Sequence, residues 1–238
     1  MYLYFFNSYP KKWQYYFQHP CSPAAIKQFN LYNKWFIICI FLITFVSACL
    51  YIVTLINNFY ENRTYHDSLA ETIWTLIPII ILSIMLSPSL ITLYKNEFIP
   101  LPEMSFKAIA NQWYWQYEFS KKIVNNPNGS NIINSYMLKI EELKLGMSKY
   151  IETDKKLLLP TRTSIRCLVT SRDVLHSFGV QSLGVKVDAV PGKLNQVHIF
   201  ILRPGYFLGH CYEICGANHA FMPINIKSIP KILYFNKK

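Results

Sequence analysis

Acidic residues are scarce in this sequence: 13 aspartates and glutamates face 24 lysines and arginines, for a formal net charge of +11. Such an excess normally points to nucleic acid or an anionic membrane surface. The basic residues are scattered, however, and with only 8 glycines in 238 residues no glycine-rich phosphate loop is present. No nucleic-acid partner is therefore expected. Internal repeats and low-complexity tracts are absent. The six cysteines (Cys21, Cys39, Cys49, Cys167, Cys211 and Cys215) are spaced too irregularly for a small disulfide scaffold. MYLYFFNSYPKKW at the start lacks a small-residue cleavage site behind an apolar run, and it is neither arginine-rich nor amphipathic, so it does not read as a targeting peptide. PCSP (Pro20–Pro23) likewise lacks the residues that precede a lipoprotein cysteine.

Charge is missing altogether from two long runs, Trp35–Ile56 and Thr72–Tyr94. Each exceeds the roughly 20 apolar residues a spanning helix needs and is apolar on every face, unlike a buried core helix. Pro78 and Pro88 are tolerable in such a helix if neighbours satisfy the freed carbonyls. The sequence thus predicts an N-terminal segment over 1–33, a transmembrane helix hairpin over 34–95 with helices at about 35–56 and 72–94, and a C-terminal domain over 103–238. Two crossings put both termini on one side and the polar loop Asn57–Glu71 on the other. By the positive-inside rule Lys11, Lys12, Lys27 and Lys34, against the loop's lone Arg63, would hold the termini inside.

Beyond Glu103 short β-branched and aromatic runs alternate with turns: QWYWQYEF, SYMLKI, KLLLP, SIRCLVT, GVKVDAV, LNQVHIFIL and INIKSIP, with a turn at Asn126–Ser130. This density of short strands predicts an all-β sandwich or barrel.

The stretch GHCYEICGANHAFM (Gly209–Met222) then carries Cys211-x3-Cys215-x3-His219-x2-Met222, with His176 on another segment. Thiolate, thioether and imidazole are soft to intermediate donors that suit copper. A single thiolate among them would describe a blue-copper centre; two can bridge a pair of copper ions, with His176 and His219 as terminal ligands. A Cys211–Cys215 disulfide, or a structural zinc on His176, Cys211, Cys215 and His219, are the alternatives. Met222 alone would read as core packing.

These words, together with ETIWTLIP (Glu71–Pro78), NQWYWQYEF (Asn111–Phe119), DVLHSF (Asp173–Phe178), SLGVKVDAVPGKLNQ (Ser182–Gln196) and RPGYFLGHCYEICGANHAFMP (Arg203–Pro223), resemble cytochrome c oxidase subunit II from about Phe17 to Ile229. The first sixteen or so residues run longer than the family's usual start. The resemblance implies a helix hairpin followed by a cupredoxin-like Greek-key barrel. It also implies both termini in the intermembrane space of the mitochondrial inner membrane, or the periplasm of a bacterial plasma membrane, which overrides the charge-based orientation. The missing signal peptide and an AT-rich amino-acid usage favour the mitochondrion.

Position by position, the resemblance implies a binuclear copper centre, CuA, on His176, Cys211, Cys215, His219 and Met222. The Glu213 carbonyl would also bind copper, and its carboxylate a magnesium ion shared with subunit I. Trp113 would be where electrons arrive, with Tyr114, Trp115 and Tyr117 around it, and Glu71 the mouth of a proton-uptake path. Glu118, Asp154, Asp173 and Tyr114 would meet cytochrome c. The implied activity is that of the electron-accepting subunit, with oxygen reduction and proton pumping in subunit I and with subunit III and accessory subunits as further partners. A quinol-oxidase-type or purely structural subunit II with a relic copper site is the alternative. Arg172 and Lys121–Lys122 stand where acids are common, and eighteen basic residues face nine acids from residue 100 onward. Docking is therefore expected to rely on apolar contact around Trp113 or on an acidic accessory subunit. No function is expected of Cys39, Cys49, Cys167, His198 or His210.

Overall fold

Two long helices follow a short N-terminal segment in the computed structural model, which describes residues 6–11, 13–56, 66–98, 100–120, 131–145 and 147–236. The turn at Asn126–Ser130 and the residues Lys12, Arg63, Lys121 and Lys122 lie outside the described residues. Helix α1 (Pro23–Ile56) and helix α2 (Ser68–Glu97) start earlier than the apolar runs alone predict. Their starts are fixed by caps. The Ser22 hydroxyl accepts from the Ala25 N–H at 2.9 Å, with Pro23 next to it. The Asp67 carboxylate accepts from the Leu69 and Ala70 N–H groups at 3.0 and 3.1 Å. Both helices are long and apolar enough to cross a bilayer. Thr44, Thr75, Ser83, Ser89 and Thr92 each return their hydroxyl to a backbone carbonyl one turn back, as a helix without water requires.

The chain divides into two units, one of residues 27–95 and one of residues 1–26 with 96–238. The second unit is built from two curled sheets. One runs β4–β3–β2–β6–β9, formed by β2 (Met104–Asn111), β3 (Tyr114–Phe119), β4 (Ile132–Ser135), β6 (Ile165–Ser171) and β9 (Asn195–Ile199). The other runs β5–β11–β10–β7–β8, formed by β5 (Leu157–Pro160), β7 (His176–Val180), β8 (Val185–Ala189), β10 (Gly205–Cys211) and β11 (Ile224–Ile229). A bridge between Ser171 and Pro191 ties the two sheets at one edge. This is the cupredoxin-like barrel that the resemblance implies. One expected strand does not form: of SYMLKI, Ser135 ends β4, Met137 makes a lone bridge to Thr153, and Ile140–Glu142 is a 3₁₀ turn.

Period-two alternation builds the core. Ile165, Cys167 and Val169 of β6 face inward against Phe106, Ala108 and Ala110 of β2 and Trp115 and Tyr117 of β3. Leu157, Leu159, Phe178, Phe207, Ile224 and Ile226 meet them from the other sheet. Each large side chain buried this way contributes about 1.5–3 kcal/mol.

The N-terminal residues belong to this barrel unit. β1 (Phe6–Asn7) pairs in parallel with the first half of β10. The Ser8 hydroxyl donates to the Tyr206 carbonyl and accepts from the Leu208 N–H. Further on, the Cys21 N–H donates to the Ser182 carbonyl at 2.8 Å. The Tyr9 hydroxyl donates to Glu152, a carboxylate whose side chain is only 1% exposed and which also holds Asn225 Nδ2 and Lys156 Nζ, each at 3.0 Å. Burial, and then the Glu152 carboxylate, push the Tyr9 phenol upward. Tyr9→Phe removes one of three donors from this buried charge and is expected to cost about 1.5–3 kcal/mol. The readout is the Tm of the full-length chain in detergent, and an unchanged Tm contradicts this role.

Candidate metal centre

The candidate donors converge because two strands end side by side. His176 is the first residue of β7 and Cys211 the last of β10, and the two strands pair antiparallel with Cys211 opposite Phe178. Residues two apart on a strand share a face, so His176 and Phe178 present their side chains to the same side as Cys211. Its Sγ lies 3.9 Å from His176 Nδ1.

From Cys211 the chain loops through Cys215 and a short 3₁₀ turn, His219–Phe221, before entering β11. Cys215 Sγ lies 3.5 Å from His219 Nδ1 and 3.5 Å from Met222 Sδ. The Cys211 thiol donates to the Glu213 carbonyl at 3.2 Å. One ligand atom each from His176, Cys211 and Cys215 lie within 4.8 Å of one another, and all three residues are buried. Both thiols are free, and Met222 is 1% exposed. Trp115 lies beneath the cluster, its Nε1 donating to the Met222 carbonyl at 3.2 Å and its ring edge-on to Phe178.

Electrostatics fits this set to a cation. Burial pushes both thiols up. Cys211 nonetheless ends below its ordinary value, because hydrogen bonds from His176 and the nearby backbone favour its thiolate. Cys215 is pushed up to about 12 by burial and by the charge on Cys211. Burial disfavours charge on His176, but hydrogen bonds to Cys211 and Asp173 win and raise it. Two thiols that repel each other's charge, with imidazole and thioether donors beside them, are the arrangement that a bound metal ion relieves by displacing protons.

Asp173 Oδ1 is 2.8 Å from His176 Nε2, and Oδ2 accepts from the Gln112 N–H at 2.6 Å. Trp113 is half-buried and follows a cis peptide bond. Its ring lies against Gly216, where an added Cβ would sit 3.1 Å from Cζ2. Tyr114 stacks on Tyr136 with ring centroids 4.5 Å apart. Glu118 lies between Lys107 at 4.0 Å and Arg172 at 3.9 Å, and Asp154 accepts from the Tyr136 N–H at 2.8 Å. Glu71 is in the first turn of α2, 2.7 Å from His66 Nδ1, and so is part of the helical unit. Sequence reasoning passed over Gln112, Trp115 as the support of Met222, and Gly216. The first two lie inside the quoted word NQWYWQYEF, but their bonds cross more than a hundred residues of chain.

Comparison with known proteins bears on this site. Residues 104–229 match the family model for cytochrome c oxidase subunit II, periplasmic domain, and residues 10–92 match its transmembrane domain. The chain is 42% identical to cytochrome c oxidase subunit 2 of Aedes aegypti, covering 92% of this chain and 93% of that one. It is 40% identical to the protein of the same name from Metridium senile, covering 95% and 90%. Among solved structures, the periplasmic domain of subunit II of cytochrome oxidase from Bradyrhizobium japonicum matches at 33% identity with a TM-score of 0.50, covering 58% of this chain and 92% of that one.

Gly216 has φ +123°, which L side chains rarely adopt, as well as the close Trp113 contact. Gly216→Ala is expected to destabilise the loop by about 1–3 kcal/mol and to displace the indole. A lowered Tm with shifted tryptophan fluorescence checks it, and an unchanged spectrum contradicts it.

Proposed function

Because the chain belongs to the cytochrome c oxidase subunit II family, we propose that it is the electron-accepting subunit of a cytochrome c oxidase, holding a binuclear copper centre and taking electrons from cytochrome c for delivery to subunit I. The observation that carries this reading is the convergence of buried His176, Cys211, Cys215 and Met222 with half-buried His219. Two thiols suit a bridged pair of ions, and a buried thioether beside Cys215 suits copper better than zinc. A subunit with a relic site would have no need of five donors.

His176, Cys211, Cys215, His219, Met222 and the Glu213 carbonyl would hold the metal, and the Glu213 carboxylate would reach a magnesium ion shared with subunit I. When bound, the copper pair supplies one-electron acceptance and release. The protein keeps those donors rigid. Asp173 fixes the His176 ring, the Trp115 N–H fixes the Met222 carbonyl, and the buried aromatic wall of Trp115 and Phe178 excludes water. A donor cage that does not rearrange keeps the reorganisation cost of electron transfer low. Trp113, packed on the loop at Gly216, is the proposed point of arrival, with Tyr114 beside it.

The apolar helices make this a membrane protein. We place it in the mitochondrial inner membrane with both termini in the intermembrane space and Glu71 at the mouth of a proton-uptake path on the opposite side. Subunits I and III and accessory subunits would be its partners in the complex.

Copper content tests the reading. The full-length chain, reduced in detergent and given copper, is expected to bind two ions per chain, and Cys215→Ser to lose at least one. One ion per wild-type chain, or preference for zinc, contradicts it. A second expectation concerns docking. Glu118 is offset by Lys107 and Arg172 and Asp173 is occupied by His176 and Gln112, which leaves Asp154, held by backbone N–H groups, as the one of the three acids to steer a basic donor. Cytochrome c oxidation by the intact complex should therefore fall less than about threefold across moderate ionic strength, where exposed charges are screened. A steep fall rules out docking by apolar contact.

A further inference from the structure

The loop that carries Cys215, His219 and Met222 is held from outside at very few points. Tyr212 N–H donates to the Ser177 carbonyl at its start, and the Met222 carbonyl accepts from Trp115 at its end. Within the loop, His219 N–H donates to Gly216 and Phe221 N–H to Asn218. Among the described residues, the Cys211 thiol reaches the Glu213 carbonyl from the end of β10, and from the other sheet Gln112 Nε2 donates to the Cys215 carbonyl at 2.8 Å. The same residue's backbone N–H donates to Asp173 Oδ2 at 2.6 Å, and Asp173 Oδ1 holds His176 Nε2.

From this geometry we infer that Gln112 is a positioning residue for the metal centre: it clamps the two segments that supply its ligands, the Cys215 loop through its side chain and the His176 segment through its backbone. Resting on the copper reading above, the inference gives Gln112 a role in the shape of the centre, separate from contact with any partner. The turn between β2 and β3 brings one end of the first sheet onto a loop of the second, where the loop has no strand partner of its own. An amide donor on the Cys215 carbonyl fixes the peptide that follows the thiol, and with it the direction of Sγ toward His219 and Met222. The backbone half of the clamp survives any side-chain substitution, so the two halves are separable by mutation.

The test uses the full-length chain in detergent with three side chains at this position. Gln112→Met keeps the length and removes the donor; Gln112→Lys is one atom longer and restores one. The variants are loaded with copper, and the metal is then withdrawn by an excess of chelator. Removing a partner that orients a ligand costs about 10–100-fold in metal retention, so Gln112→Met is expected to lose copper at least about tenfold faster and to show an altered copper absorption spectrum. Gln112→Lys should recover most of the retention. Before metal is added, hydrogen exchange at the loop amides 213–221 should be faster in Gln112→Met and unchanged in the first sheet. If the wild type and Gln112→Met retain copper alike, give the same spectrum and exchange alike, this inference is overturned and the copper reading stands. If the wild type takes up no copper, the copper reading falls and takes this inference with it.

Discussion

The register between β7 and β10 is the constraint on which the candidate centre depends. His176 and Cys211 are 35 positions apart in the chain and lie on different strands. They meet because Cys211 pairs with Phe178 and His210 with Gly179. A slip of one residue would turn Cys211 to the opposite face and take its sulfur out of reach of the imidazole. Close strand approach helps to hold the register, since a Cβ on Gly209 would sit 2.0 Å from the Gly179 carbonyl oxygen. The other half of β10 is pinned by different partners, β11 on one edge and the N-terminal β1 on the other. The strand that delivers the first thiol is therefore fixed along its length before the loop begins.

That arrangement explains how two thiols that repel each other's charge can be kept buried side by side. The core of Phe106, Trp115, Tyr117, Phe178 and Phe207 supplies the rigidity, and the site is placed at the barrel's end, where two strands stop and a loop can turn its donors inward. Polar atoms near the cluster are mostly used to orient it. Asp173 serves His176, the Trp115 indole serves the Met222 carbonyl, and Gln112 serves both the Cys215 loop and Asp173. These bonds all come from the β2–β3 region or the segment just before β7, so candidate donors on one sheet are steadied largely from the other.

Much of this was legible in the sequence, but unevenly. The two spanning helices are plain from uncharged runs, though their ends are not: α1 begins at Pro23 because Ser22 caps it, a signal that hydropathy does not carry. The donors of the loop are legible because they sit within twelve residues of one another. His176 is not tied to them by spacing, and its membership comes from the resemblance and then from strand pairing. The strands β2, β7 and β10 contain small residues such as Ala108, Gly179 and Gly209, where close packing replaces the β-branched signature, so they are less conspicuous than β6. The attachment of Ser8 and Tyr9 to the barrel was illegible, since its partners Tyr206 and Glu152 lie well over a hundred residues away. So was the second use of Asp173, an acid that reads as a surface charge until its carboxylate is seen on the imidazole.

The central claim is that this loop was built for two metal ions sharing one electron. The most direct measurement is the electron paramagnetic resonance spectrum of the copper-loaded, full-length chain in its oxidised state. The account predicts hyperfine splitting shared equally by two copper nuclei, from one unpaired electron spread across both thiolates. A spectrum from copper localised on a single nucleus would contradict it.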